Sequence, residues 1–160
     1  MTETSPQNNI RERFTLRKSA KLRHRTLVQE LFQKGKSVYS GPLRMTFRAL
    51  SQEELTASFK EAVPDMMGPV QFMITVPKKK RRHAVDRVLM RRRIREAFRL
   101  QWHPLKKLVE DDPAIRTLSL AIIYTDTANS EMDTIKNAVG SVISKVRKRL
   151  YPQPKGDDIC

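Results

Sequence analysis

The sequence predicts an α+β fold, in which about four strands form one small mixed sheet and three helices pack on it. Stretches with the two-residue period of a strand and stretches with the three-to-four-residue period of a helix follow one another in the order α-β-β-β-α-β-α. The 160 residues suffice for one domain with a real core. We therefore expect a single domain over residues 14–150, between a flexible N-terminal segment (1–13) and a flexible C-terminal tail (151–160), both polar and the tail rich in proline.

The first helix is predicted at RTLVQELFQKG, residues 25–35. Its apolar residues Leu27, Val28, Leu31 and Phe32 recur at helical spacing. Gly35 stands where a left-handed C-cap is expected.

Two strands are predicted at PLRMTFRAL (42–50) and PVQFMITVP (69–77), because apolar side chains alternate in both. The segment between them, 51–69, is predicted as a connection with a local strand or turn, and its structure stays open. The inward sets are Leu43, Met45, Phe47 and Val70, Phe72, Ile74, Val76; the outward sets are Arg44, Thr46, Arg48 and Gln71, Met73, Thr75.

The last third of the chain predicts one more strand and one more helix. LSLAIIY (118–124) has the length and composition of a strand that is buried on both faces. EMDTIKNAVGSVISKVRKRL (131–150) repeats its apolar residues every three or four positions, as a closing amphipathic helix does. Before them, HPLKKLVEDDP (103–113) is predicted as a helix end and a loop.

Positive charge is concentrated in one segment, VPKKKRRHAVDRVLMRRRIREAFRL, residues 76–100. Eleven Lys and Arg against two acids give this segment +9 of the chain's net +15, which comes from 32 Lys and Arg against 17 Asp and Glu. A helix over 84–101 groups Arg91, Arg92, Arg95 and Arg99 on one side. The opposite, apolar side consists of Leu89, Met90, Ile94, Ala97, Phe98 and Leu100. Neighbouring like charges destabilise a helix, so this row indicates a polyanionic partner, and a basic face that serves solubility alone is the plainer alternative.

The composition excludes several other classes of function. No apolar run approaches the roughly 18 residues of a spanning helix, and residues 1–9 do not look like a secretory signal, so we expect a cytoplasmic protein that binds nucleic acid in preference to an anionic membrane. The only cysteine is Cys160, so neither an intrachain disulfide nor a cysteine zinc site can form. No catalytic motif is present, and the three histidines, His24, His83 and His103, are isolated.

The segments VPKKKRRHAVDR and RRRIREAFR, together with KLRHRTLVQELFQKGKS upstream, resemble the protein subunit of bacterial ribonuclease P. The resemblance covers about residues 14–150. The family usually has Arg-Asn-Arg where this chain has Arg87, Val88 and Leu89, so the chain departs from the pattern at Val88 and Leu89. A further departure is His83, where Asn is frequent. It also departs at Val28 and Thr46, where the family commonly has aromatic residues.

The resemblance implies a ribonuclease P protein-like fold, of the ribosomal protein S5 domain 2-like type. It implies that the protein binds a catalytic RNA and the 5′ leader of precursor tRNA, and promotes endonucleolytic removal of that leader. Catalysis is then expected in the RNA with Mg²⁺ at its active site, with no catalytic residue, metal or cofactor in the protein, no membrane and no obligate protein partner.

The resemblance also implies two sets of binding residues. The contacts to the catalytic RNA are expected from Lys78, Lys79, Lys80, Arg81, Arg82, Arg87, Arg91, Arg92, Arg95 and Arg99. The contacts to the leader are expected from Val28, Phe32, Arg44, Thr46, Arg48 and His83.

Two other classes of function remain open from the residues. A structural RNA-binding protein, for example one associated with the ribosome, would have the same basic patch without a role in tRNA processing. A DNA-binding regulator is less favoured, because strands flank the basic helix where a helix-turn-helix needs a neighbouring helix.

Overall fold

The fold class predicted from the sequence is confirmed. The computed structural model of the protein describes residues 16, 18–59 and 67–152, so all of the predicted N-terminal segment (1–13) and all of the tail beyond Pro152 lie outside the described residues. A short 3₁₀ turn at Lys18–Ala20 precedes four strands and five helices. These are α1 (Arg25–Lys34), β1 (Lys36–Ser40), β2 (Leu43–Leu50), α2 (Gln52–Ser58), β3 (Val70–Thr75), α3 (Ala84–Gln101), α4 (His103–Asp111), β4 (Thr117–Tyr124) and α5 (Met132–Leu150).

The four strands form one mixed sheet in the order β1-β2-β4-β3. β1 pairs antiparallel with β2 and β2 antiparallel with β4, while β3 runs parallel to β4. The β1–β2 turn contains Gly41 with φ +52°, a left-handed conformation that glycine adopts without steric cost. β1 and β3 are therefore the two edges, and the last strand in sequence lies inside the sheet.

One face of the sheet carries the main core, under α3 and α5. Met90, Ile94, Ala97 and Phe98 of α3 are fully buried there, four of the six residues that the sequence placed on the apolar side. Leu100 is 38% exposed, which corrects the prediction. Leu100 is next to the last residue of α3, and at 100° per residue it lies about 60° from Ala97, outside the buried stripe.

The other face is partly covered by α1 and α2, which make a second, smaller core. Leu27 and Leu31 of α1 and Leu55 of α2 pack there against Leu50 and Ala121 of the sheet. Gln71, predicted to point outward to solvent, is buried at 1% exposure. Gln71 lies on the face of β3 that the second core covers. Leu22 and Met67 belong to that core, and a β-bridge between Lys21 and Phe72 holds Leu22 next to β3.

The helix and strand inventory also differs from the prediction in three places. The third strand before the basic helix is β1 at Lys36–Ser40, and the 51–69 segment contributes α2 instead. Ser51 caps α2 with a full capping box, in which its hydroxyl accepts from Glu54 N and the Glu54 carboxylate accepts from Ser51 N. Residues 103–111, predicted as a helix end and loop, form the separate helix α4.

Gly35 does not form the left-handed C-cap that was predicted, because its φ is −73° and its ψ 161°. Glycine is required there for space. A Cβ at this position would lie 2.3 Å from the Leu31 carbonyl oxygen and 2.9 Å from Thr46 Cγ2. The end of α1 therefore lies directly on β2, which fixes the approach of the helix to the sheet.

Candidate nucleic-acid interface

The basic loop, residues 77–83 between β3 and α3, is held by its own main chain. Lys80 N and Arg81 N donate to the Pro77 carbonyl at 3.0 and 3.1 Å. The turn leaves Lys78, Lys79 and Lys80 exposed, and a cleft of about 760 Å³ lies between Lys78, Lys79, Arg82 and His83. The loop is thus a folded turn with its ammonium groups in solvent.

Two arginines predicted as RNA contacts hold the loop in place. Arg87 Nη1 donates to the carbonyls of Arg81 and Arg82 at 3.0 and 2.7 Å. Arg81 donates to the Thr127 carbonyl and forms an ion pair of 3.0 Å with Asp86. Both side chains therefore serve the protein's own structure.

Asp86 connects the start of α3 to the loop before α5. Its carboxylate accepts a hydrogen bond of 3.0 Å from the Asn129 amide as well as the contact from Arg81. The Asn129 hydrogen bond and the Arg81 charge together hold the pKa of Asp86 below its usual value. Since Asp86 lies in the first turn of α3, its negative charge also interacts favourably with the positive end of the helix dipole.

Most of the other cations of the segment have no acidic partner in the described part of the chain. Among the described residues, no acidic side chain forms an ion pair with Lys78, Lys79, Lys80, Arg82, Arg91, Arg92 or Arg95. Arg82, Arg92 and Arg95 are exposed and Arg91 is half-buried. Arg99 differs, because it binds the Glu96 carboxylate through Nε at 3.0 Å and Nη2 at 2.6 Å.

An apolar strip interrupts the basic row on α3. Val85 is 79% exposed and Val88 41% exposed. Together with Ala84, Leu89 and Arg92 they line a shallow depression of about 390 Å³. The two departures from the family pattern thus have different surroundings: Val88 faces solvent among the arginines, and Leu89 packs against the main core.

Five of the six predicted leader-binding residues lie on α1 and β2, but not all of them present a free surface. The sixth, His83, belongs to the basic loop directly before α3. Phe32 is 47% exposed and Val28 packs on the second core. Thr46, expected at the surface, is 2% exposed, and its hydroxyl shares a hydrogen bond of 3.0 Å with Ser37. Its position beneath Gly35 explains the burial.

The two arginines of this face also differ. Arg48 is paired with Glu30 at 2.7 Å and with Glu54 at 3.7 Å. Burial raises the pKa of Glu30, but hydrogen bonds from Ser58 and Arg48 outweigh it, so that pKa is below the usual value. Arg44 has no acidic partner among the described residues, and its Nε donates to Ser37 Oγ at 3.3 Å.

The described residues offer no other chemistry of note. No group of three or more His, Cys, Asp or Glu residues within them is placed to hold a metal ion. None of the helices seen in this part of the chain is long and apolar enough to cross a membrane.

The sequence did not indicate a structural role for Arg93, which donates to the Ser130 carbonyl, because that partner comes from a loop far along the chain.

The chain is thus a basic α+β protein, and most cations of α3 and of the preceding loop have no acidic ion-pair partner among the described residues. The sequence profile of the ribonuclease P family matches residues 16–147, and the chain belongs to that family. Its function therefore belongs to ribonuclease P and to tRNA processing.

Known proteins agree with this assignment. The ribonuclease P protein component of Porphyromonas gingivalis W83 is 28% identical over 110 residues, which are 69% of this chain and 72% of that protein. The ribonuclease P protein of Staphylococcus aureus superimposes with a TM-score of 0.53 at 18% identity, over 80% of this chain and 95% of that one. The Thermotoga maritima protein gives a TM-score of 0.51 at 18% identity, over 78% and 96%.

Proposed function

We propose that this protein is the accessory subunit of a ribonuclease P holoenzyme. It binds the catalytic RNA through the basic loop and the exposed side of α3, and it holds the 5′ leader of precursor tRNA on the face formed by α1 and β2. Removal of the leader is carried out by the RNA with bound Mg²⁺. We expect this to occur in the cytoplasm.

The observation that carries the proposal is the row of cations that have no acidic ion-pair partner within residues 16, 18–59 and 67–152. Arg92 and Arg95 are exposed three positions apart on α3, and the loop before this helix presents three more exposed cations, Lys78, Lys79 and Lys80. Arginine forks fit phosphate oxygens in pairs and lysine adds point charges. Releasing counterions from phosphates then supplies much of the binding free energy.

The leader face suits a single strand of variable sequence. Phe32 offers an exposed ring for stacking and Arg44 a cation for the backbone, and this combination binds single strands with little sequence preference. A subunit that assists the processing of many precursors needs this tolerance.

Cleavage of a precursor tRNA by the Porphyromonas gingivalis ribonuclease P RNA at low Mg²⁺, with and without the protein, tests the proposal. We expect the protein to restore cleavage at the mature 5′ end. Arg92→Ala/Arg95→Ala should lose most of this stimulation, while Lys107→Ala/Lys136→Ala, with the same charge change at exposed positions elsewhere, should keep it.

Two outcomes would contradict the proposal. Tight RNA binding without stimulated cleavage would instead support the structural RNA-binding alternative. Equal effects of the two double variants would mean that net charge alone is responsible and that α3 is not an interface.

A further inference from the structure

A second basic groove lies at the β1 edge of the sheet, away from the basic loop. It is lined by Ser37, Val38 and Tyr39 of β1 and by Lys145, Lys148 and Arg149 of α5, and it encloses about 540 Å³. β1 and β3 are opposite edges, and the basic loop follows β3. The groove is therefore a separate surface from the one that α3 presents.

The groove contains an aromatic ring that the protein does not cover. Tyr39 is 60% exposed, and the guanidinium carbon of Arg44, its partner across the β1–β2 pair, lies 6.0 Å from the centre of its ring. The Lys145 ammonium donates to the Tyr39 carbonyl and so ties α5 to the edge strand. An exposed ring beside cations on an anchored strand is the arrangement on which bases of single strands stack.

The charges along the end of α5 exceed what the helix requires. Four of the five residues 145–149 are Lys or Arg, and Lys145 and Arg149 are like charges four positions apart, which repel. One or two cations suffice to offset the partial negative charge at a helix end. In the part of the chain that the structure describes, Lys148 and Arg149 have no acidic partner, so the cluster favours a polyanion.

The groove continues the face that we propose for the leader. The side chains of Ser37 and Tyr39 lie on the same side of the sheet as Arg44, and Arg44 Nε donates to Ser37 Oγ at 3.3 Å. A strand that crosses α1 and β2 would therefore pass over Tyr39 before it reaches the end of α5.

We infer that this groove binds single-stranded RNA, namely the part of a precursor leader that lies further from the cleavage site. One base stacks on Tyr39, and the phosphates that follow pair with Lys148 and Arg149. The inference rests on the proposed function for the identity of the RNA, while its binding chemistry can be tested without cleavage.

The first test measures binding of the full chain to a fluorescein-labelled single-stranded RNA of mixed sequence, about 12 nucleotides long. Tyr39→Ala should weaken binding about tenfold, as expected for one lost stacking contact, and Tyr39→Phe should bind within about twofold of the unchanged protein. Lys148→Ser/Arg149→Ser should lower the slope of log affinity against log salt by about 1.4. The control Lys107→Ser/Lys136→Ser removes the same charge outside the groove and should keep the slope.

The second test compares precursor tRNAs with leaders of about 4 and about 14 nucleotides in the assembled holoenzyme. Tyr39→Ala should remove the advantage of the longer leader and leave the shorter substrate unaffected. Equal losses for both substrates, or none, would overturn the inference.

The two tests also separate the inference from the proposed function. If the unchanged protein fails to stimulate cleavage but its RNA binding depends on Tyr39, the proposed function is wrong and the groove is still an RNA site. If the groove variants lose binding to phosphatidylserine vesicles and bind RNA as before, the occupant is a membrane surface and the inference is wrong.

Discussion

The arginines of the basic segment fall into two groups, and substituting one member of each should separate structural from RNA-binding roles. Arg87 gives two hydrogen bonds to loop carbonyls, at 3.0 and 2.7 Å. Bonds from a charged donor contribute about 1.5–3 kcal/mol each when buried, and partial exposure here reduces the pair to about 1.5 kcal/mol. Arg92 is exposed and has no ion-pair partner among the described residues, so its removal should change the free energy of unfolding by less than about 0.5 kcal/mol.

The effects on RNA binding should differ in kind. Arg87→Ala should weaken binding because the loop must be ordered on binding, with little change in salt dependence. Arg92→Ala should reduce the slope of log affinity against log salt by about 0.9, since one phosphate contact is lost. Urea unfolding and titrations with ribonuclease P RNA at several salt concentrations measure both quantities.

Arg87→Lys is the matched control, because it keeps the charge and loses the planar fork. It should be destabilised nearly as much as Arg87→Ala. The reasoning would be refuted if Arg87→Ala left the unfolding free energy unchanged and lowered the salt slope by about one.

Three further predictions follow from local geometry. Gly35→Ala should lower the free energy of unfolding by about 2 kcal/mol, because its Cβ would overlap the backbone. Gly41→Asn should be tolerated, since φ there is +52° and the nearest atom to a Cβ is 3.7 Å away. Thermal unfolding of both variants checks this, and equal melting temperatures would contradict it. Burial and the hydrogen bond to Asp112 raise the pKa of Tyr151 to about 12, above its unfolded value of about 10, so its stabilisation is complete below pH 10 and is lost as the pH rises towards 12. Tyr151→Phe should flatten that loss in urea unfolding measured across this range, and an unchanged pH profile would refute the assignment. Val88→Asn should leave stability unaltered and raise affinity for ribonuclease P RNA about fivefold through one added hydrogen bond, whereas weaker binding by titration would show that the apolar strip itself contacts RNA.

The elements with strong periodicity could be predicted from the sequence because burial there is simple. β4 is mostly apolar and is buried on both faces, and α3 and α5 show their buried stripes directly. β1 could not be predicted, because Val38 is its only buried residue and a single buried residue shows no alternation of apolar and polar positions. α2 could have been found, since Ser51 and Glu54 form a capping-box signature in the sequence.

The sequence predicted which residues make up the candidate site, but not which of its arginines bind the protein's own backbone and which are exposed. The carbonyls that engage Arg81 and Arg93 belong to Thr127 and Ser130, far away in sequence, so no local pattern separates these arginines from the exposed ones. Thr46 shows the same limit on the other face. Its burial depends on the close approach of Gly35, which a strand period cannot reveal.

The position of β4 between β2 and β3 has a consequence for folding during synthesis. Until residues 117–124 leave the ribosome, β2 and β3 each lack the strand that pairs with them in the finished sheet. Pairing of β2 with β4 is also slow, because a long stretch of chain separates the two strands. The basic helix α3 precedes β4 in the chain and is therefore synthesised within this period. Chains interrupted before β4 should therefore be aggregation-prone polycations, and β3 should join the β1–β2 hairpin only after β4 has been made.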